Sequence, residues 1–361
     1  MALKYALIGC GRVSPNHLRA ARDNGFDIAA VCDIDDKQPL LAFKNAGFTP
    51  EETDGIKIYT SYTELLATEK PQLVSIATPS HLHAEIALAA IESGANVIIE
   101  KPVAMSLADA DKIIAAAEQT GLKVAACHQN RFNKAVCQLR SAIDDGSLGD
   151  ISHGSVTIRW SRDRDYYSSA DWRGKWKSDG GALMNQCIHG IDLLRWCMGD
   201  ELVAVSGVTR RRQHPYIEAE DVGVAVLEFA SGAVATCEGS VNAYKYDMEE
   251  QLTVFGSKGT VKLGGTSANT IDYWCVEGQN DRGGFKENTS NVYGNGHTAL
   301  FGDMADAIKN NRQPYVDIKA GRRALETVLA IYLASATGKR VELPRDDIAS
   351  ADFKGLFGDT I

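Results

Sequence analysis

Leu3-Lys4-Tyr5-Ala6-Leu7-Ile8-Gly9-Cys10-Gly11-Arg12-Val13-Ser14 decides the fold. A helical stretch follows it to about Asn24, and then Asp27-Ile28-Ala29-Ala30-Val31-Cys32-Asp33. A strand, a glycine turn, a helix and a second strand closed by an acid form the setting that binds a dinucleotide. Gly9 permits the tight turn, and Gly11 lets backbone amides approach a pyrophosphate at the helix N-terminus. The third position of the fingerprint holds Ser14 rather than glycine. Asp33 stands 22 residues after Gly11, where a carboxylate accepts hydrogen bonds from ribose hydroxyls and repels a 2′-phosphate. This favours NAD over NADP. A glycine pattern alone also fits an ordinary strand-to-helix turn; the flanking elements and the acid decide for the cofactor.

Outward from that stretch, strand-like runs at 73–78, 96–100 and 123–127 alternate with helical patterns near 63–67, 82–93 and 107–120. Gly94 and Gly121 are natural stops. The pattern predicts an N-terminal Rossmann domain with a parallel sheet over 1–124. Ligands gather at the carboxyl ends of such strands, here Thr78-Pro79-Ser80, Glu100-Lys101-Pro102 and His128-Gln129-Asn130-Arg131. After 150, strand-like runs at 151–160, 221–229, 233–241, 251–255, 260–263 and 270–276 are joined by short turns at Ser231-Gly232 and Gly256–Gly259. They predict a second α+β domain over 125–361 with a large, mostly antiparallel open sheet. One face of it needs cover, from a partner subunit or from helices of the same chain. Helical stretches near 297–310 and 317–337 are candidates to pack back on the first domain.

The 361 residues, 24% charged and 44% hydrophobic, suit two globular domains, and the net charge of −9 argues against general nucleic-acid binding. No apolar run is long enough for a bilayer, and Met1-Ala2-Leu3-Lys4 leads straight into a strand, so no secretory leader is expected. Eight cysteines without a C-x-x-C pair read as reduced thiols in a cytoplasmic protein. His81-Leu82-His83 and Cys127-His128 come nearest to metal-ligand spacing and read as loop histidines and a strand end. No metal is expected.

Glu100-Lys101-Pro102 after such a fingerprint resembles the Gfo/Idh/MocA oxidoreductase family from residue 3 to about 340. The second half adds Gln129-Asn130-Arg131, Trp172-Arg173-Gly174-Lys175-Trp176, Gly180-Gly181-Ala182-Leu183-Met184-Asn185-Gln186, His189, Glu218-Ala219-Glu220-Asp221 and Val292-Tyr293-Gly294-Asn295-Gly296-His297. Together these are similar to the subgroup that oxidises carbon 3 of UDP-N-acetylglucosaminuronic acid for bacterial surface polysaccharide. The resemblance implies an NAD site at Gly9, Gly11, Arg12, Val13, Asp33, Ile34, Thr78, Pro79, His83, Glu100, Lys101, Gln129, Trp172 and Arg173. It implies a nucleotide-sugar site at Lys101, Arg131, Tyr167, Asn185, His189, Tyr293 and His297, with Lys101, His189 and Asn185 catalytic. It also implies a homo-oligomer, dimer or tetramer, built through the C-terminal sheet, and 2-oxoglutarate as a possible acceptor that recycles the cofactor in place.

Asn185 and His189 stand four apart in a helical pattern over 184–198 and are expected to share one face. Gly180-Gly181 before them would let backbone approach a ligand. In the wider family an aspartate occupies the position of Asn185, which puts a carboxylate–histidine pair in doubt. His189 also fits a satisfied histidine at a helix–sheet contact. Arg159, Arg162, Arg164, Arg173, Lys175 and Lys177 interleave with Asp163, Asp165, Asp171 and Asp179, so most are expected to pair internally, leaving one or two arginines for ligand. Trp172 and Trp176 fit either a site wall or core.

Oxidising a secondary alcohol needs a hydride acceptor and a group that takes the hydroxyl proton. Bringing a lysine from about 10.4 to near 7 costs roughly 4 to 5 kcal/mol, whereas histidine starts near 6.5. His189 is therefore the expected base and charged Lys101 the hydrogen-bond donor to the hydroxyl, with the reverse assignment open. Three rivals stand beside this reading: an inositol or aldose dehydrogenase of the same fold, an NAD-dependent glycosidase, and a non-catalytic sensor of NAD and sugar.

Overall fold

The computed structural model describes residues 2–199, 201–288, 294–358 and 360. They form two compact units. The first comprises Met1–Ala104, Asp109–His128 and Gly296–Arg322; the second comprises Met105–Ala108, Gln129–Asn295 and Arg323–Ile361.

In the first unit β1 (Lys4–Ile8), β2 (Asp27–Cys32), β3 (Lys57–Tyr59), β4 (Leu73–Ile76), β5 (Asn96–Ile99) and β6 (Val124–Ala126) form one sheet in the order β3-β2-β1-β4-β5-β6. Every pairing is parallel. The central strands are buried on both faces, as their unbroken apolar runs require: Tyr5, Leu7, Val74, Ile76, Val97, Ile98 and Ile99 have almost no exposure. The helix Gly296–Lys309, remote in sequence, belongs to this unit. Its Phe301 packs edge-on against His17 and Tyr5, with ring centroids 5.4 and 6.0 Å apart.

The second unit adds β7 (Ile151–Arg159), β8 (Leu202–Arg210), β9 (Val222–Phe229), β10 (Val234–Ser240), β11 (Glu249–Gly256), β12 (Gly259–Gly264), β13 (Thr270–Val276), β14 (Phe285–Lys286) and β15 (Val341–Glu342). Their order is β14-β13-β12-β11-β7-β10-β9-β8-β15. The two short turns join antiparallel pairs, β9 with β10 and β11 with β12. The β7–β10 pair is parallel, because these strands are far apart in sequence and no hairpin dictates their direction. β8 and the short β3, β14 and β15 were not predicted from sequence. One sheet face carries the fully buried helix face of Ile188–Cys197. The other bears Val208, Val224, Val226 and Val234, each 45 to 53% exposed. Among the described residues no helix is long and apolar enough to cross a membrane.

Candidate active site

In the first unit the glycine turn is closed by sterics. Gly9 has φ +92°, and a Cβ there would lie 2.5 Å from the Ala77 carbonyl carbon, so the turn is pressed onto the chain leaving β4. Gly11 has open space around its Cα, and no side chain caps the helix Ser14–Asp23 that follows. That leaves room for an anion beside the start of the helix. Asp33 accepts from the Cys10 amide at 2.7 Å and the Asp35 amide at 3.0 Å, which fixes its carboxylate at the end of β2. Beside it Ile34 is 94% exposed, an apolar surface that a flat ring such as adenine would cover. Arg12 and Val13 lie on the turn itself. These residues fit a dinucleotide by shape and by donor chemistry.

The Glu100-Lys101-Pro102 turn is held from both sides. His83, buried, has Nδ1 2.7 Å from the Pro102 carbonyl and Nε2 2.9 Å from the Thr78 carbonyl, stapling the chain after β4 to the chain after β5. Burial lowers its pKa against the pull of the two accepting oxygens. Glu100 is buried with its Oε1 2.8 Å from His17 Nε2 and 3.8 Å from His297 Nε2. Burial opposes its ionisation, but the two histidines overcome that and hold the carboxyl well below the usual range. The other oxygen accepts from the Lys101 backbone amide at 3.2 Å. Cys127 completes a group whose ligand-capable atoms all lie within 4.8 Å of one another. The 2.8 Å His17–Glu100 contact is a hydrogen bond between two of them, which accounts for their closeness.

His297, expected at the substrate, lies in this cluster, carried there by the helix packed on Ser14–Asp23. His17 escaped the sequence reading. Its signal was a histidine inside the buried stripe Ser14, His17, Leu18, Ala21 of the first helix. Tyr293 lies outside the described residues.

In the second unit the helix expected over 184–198 is two helices, Ala182–Asn185 and Ile188–Cys197. The Cys187 amide reaches back five residues to the Ala182 carbonyl, at 2.9 Å, a wide turn between the two helices. The sheet makes room for the first of them. Gly223 and Gly239 pair across β9 and β10, and a Cβ on either would lie within 2.6 Å of a Leu183 methyl. Gly181 also has a different reason from the expected one. A Cβ there would meet Glu220 Oε2 at 1.7 Å, so the glycine admits a buried carboxyl, not a ligand. Glu220 takes hydrogen bonds from the Leu183 amide at 2.7 Å and the Tyr332 hydroxyl at 2.9 Å, yet burial pushes it up to about 8. Neighbouring Asp221 goes the other way. Burial opposes its charge, but His214, Gln213, Asn242 and Arg212 donate to it and bring it down to about 2.

Several other residues singled out from the sequence already have partners in this chain. Arg131 is buried with its fork closed on Asp192, Nε and Nη2 each at 2.7 Å, so the face that would read a carboxylate or diphosphate is already used. Tyr167 is buried against Tyr166, His214 and Tyr216, and Trp176 is core against Tyr332 and Phe353. Gln129 is buried beside Asn130. Arg159 pairs with Glu238 and Glu249 on the sheet face. The residues brought together are Asp179, Asn185, Gln186, Tyr166, Arg162, Trp172 and Arg173. The Arg173 guanidinium lies 4.3 Å from the Tyr166 ring centre and 4.5 Å from that of Trp172.

Residues 3–128 match the NAD-binding Rossmann-fold model of an oxidoreductase family, and 136–262 match the GFO/IDH/MocA C-terminal domain. A D-apiose dehydrogenase of Paraburkholderia graminis is 30% identical over 264 residues, 72% of this chain and 67% of that one. The chain belongs to the Gfo/Idh/MocA oxidoreductase family. It is accordingly an NAD-dependent dehydrogenase of the sugar and polyol class. An inositol 2-dehydrogenase of Salmonella paratyphi B is 28% identical over 269 residues, 73% of this chain and 74% of its own. The WlbA dehydrogenase of Bordetella pertussis, solved with NADH and UDP-GlcNAcA, superposes with a TM-score of 0.83 at 30% identity, covering 96% of this chain and all of the other.

Proposed function

We propose that this Gfo/Idh/MocA enzyme oxidises carbon 3 of a UDP-N-acetyl-hexuronic acid. Support comes from the likeness to WlbA along nearly the whole of both chains at 30% identity. NAD supplies the hydride acceptor when bound; the glycine turn, Asp33 and Ile34 would hold it. In this reading His189 is the base for the hydroxyl proton and charged Lys101 a hydrogen-bond donor. The Glu100 carboxylate, fixed by His17 and His297, holds the backbone of the Lys101 turn. Copies of the chain associate through the valine-bearing face of the second sheet, in the cytoplasm.

A second reading, dehydrogenation of an inositol or a free aldose, is favoured by the D-apiose and inositol relatives. Incubation with NAD and a panel of UDP-sugars, inositols and aldoses, followed by NADH absorbance, separates the two. The panel is repeated with 2-oxoglutarate present, so that a cofactor recycled in place is detected through its product. Turnover of free inositol or aldose without turnover of any UDP-uronic acid overturns the first reading.

A further inference from the structure

Asn185 lies inside a row of hydrogen bonds whose two ends carry opposite charge. Asp179, 1% exposed, accepts from the Gly174 amide at 2.7 Å through Oδ2 and from Asn185 Nδ2 through Oδ1. On the other side Gln186 Nε2 donates to Asn185 Oδ1 at 2.5 Å and to the Tyr166 hydroxyl at 2.8 Å. Gln186 Oε1 in turn accepts from Arg162, Nη2 at 2.7 Å and Nε at 3.1 Å, and Arg162 is anchored on Asp247 at 2.8 Å.

A carboxylate only accepts and a guanidinium only donates, whereas a carboxamide does both and has nearly the same shape when turned over. Arg162 therefore forces the oxygen of Gln186 towards itself. That turns Nε2 to Asn185, which forces the Asn185 oxygen towards Gln186 and its nitrogen towards Asp179. Each link agrees with the next, and reversing either amide sets donor against donor or acceptor against acceptor. Bonds to the charged ends are also the stronger kind, and a buried row of this sort polarises along its length.

We propose that Asp179 and Arg162 are positioning residues that lock the Asn185 carboxamide in one orientation before substrate binds. The inference rests on the reading that Asn185 faces the sugar. Asp179, an interleaved surface acid by sequence, becomes the group that decides which end of the amide is presented.

Two measurements test it. In protein labelled with 15N-asparagine, without substrate, the Asn185 side-chain NH2 pair should be widely split and slow to exchange, and the splitting should collapse in Asp179→Asn. An ordinary solvent-like pair in the wild type, or an unchanged pair in Asp179→Asn, overturns the lock whatever the enzyme oxidises. On the sugar that the NADH panel identifies, Asp179→Asn and Gln186→Met should each lower kcat/KM by about 10- to 100-fold. NAD affinity and melting temperature should stay close to wild type. Gln186→Met interrupts the row without uncovering a charge, since Arg162 keeps Asp247, and so serves if Asp179→Asn does not fold. Wild-type kcat/KM in a folded Gln186→Met protein refutes the positioning role. A wild type inert towards every sugar refutes the proposed function instead, and leaves the resonance to decide the lock.

Discussion

Replacing Glu220 by glutamine should remove part of the pH dependence of stability, with a sign and size that follow from its site. The folded carboxyl is pushed up to about 8 by burial, while in the unfolded chain it titrates near 4.5. Between these values the folded protein holds a proton that the unfolded chain has lost, so stability falls as pH rises from about 4.5 to about 8. At roughly 1.4 kcal/mol per pH unit, the loss from pH 5.5 to 7.5 is about 3 kcal/mol for this one group. Glutamine keeps an oxygen for the Leu183 amide and the Tyr332 hydroxyl, and it does not titrate. Histidines such as His83, whose pKa burial lowers, contribute the opposite slope: stability gained as pH rises towards 6.5. The difference between variant and wild type at each pH cancels them. Guanidinium denaturation at pH 5.5, 6.5 and 7.5, without NAD, should therefore show Glu220→Gln gaining on the wild type by about 1 to 1.5 kcal/mol per unit. A constant difference across the range would refute the reasoning. Glu250, likewise raised to about 8 by burial, should keep its own share of the slope in that variant.

Asp33→Ala should raise NADP turnover relative to NAD by at least tenfold in steady-state kinetics, since the acid that repels a 2′-phosphate is gone; an unchanged ratio would place the discrimination elsewhere. His189→Asn should lower kcat by about 100-fold or more, and full recovery at high pH would argue against an obligatory histidine base. Val224→Lys, on the exposed face beside Val208, should shift the sedimentation coefficient towards the monomer while leaving the helical circular dichroism intact. Lys101→Met should abolish turnover with NAD still bound, as read by fluorescence titration; retained turnover would remove Lys101 from the mechanism.

The first unit was legible because its signals are local. A strand, two glycines, a helix and an acid fall within about thirty residues, and Gly9 and Asp33 act through backbone contacts that their residue types announce. The second sheet was legible where turns were short, in β9–β10 and β11–β12. β8 was missed because its run Leu202–Arg210 has no short turn joining it to a neighbouring strand and ends in the charges of Arg210-Arg211-Arg212. Long-range partners left no local trace. Nothing near Arg131 announces Asp192, nothing near Gly181 announces Glu220, and nothing in 184–198 announces the wide turn that divides it. The glycine pair before Asn185 was correctly seen as a close-approach signal, but the approaching group came from this chain.

Both edges of the nine-stranded sheet end in strands only two residues long, Phe285–Lys286 and Val341–Glu342. Such short borders offer a newcomer few unpaired amides and carbonyls, so the sheet makes a poor template for lateral growth. Any copy that docks on it has to do so broadside, by side chains. Recognition between copies is then written in residues that evolution can exchange singly, and the ladder inside each copy is left undisturbed.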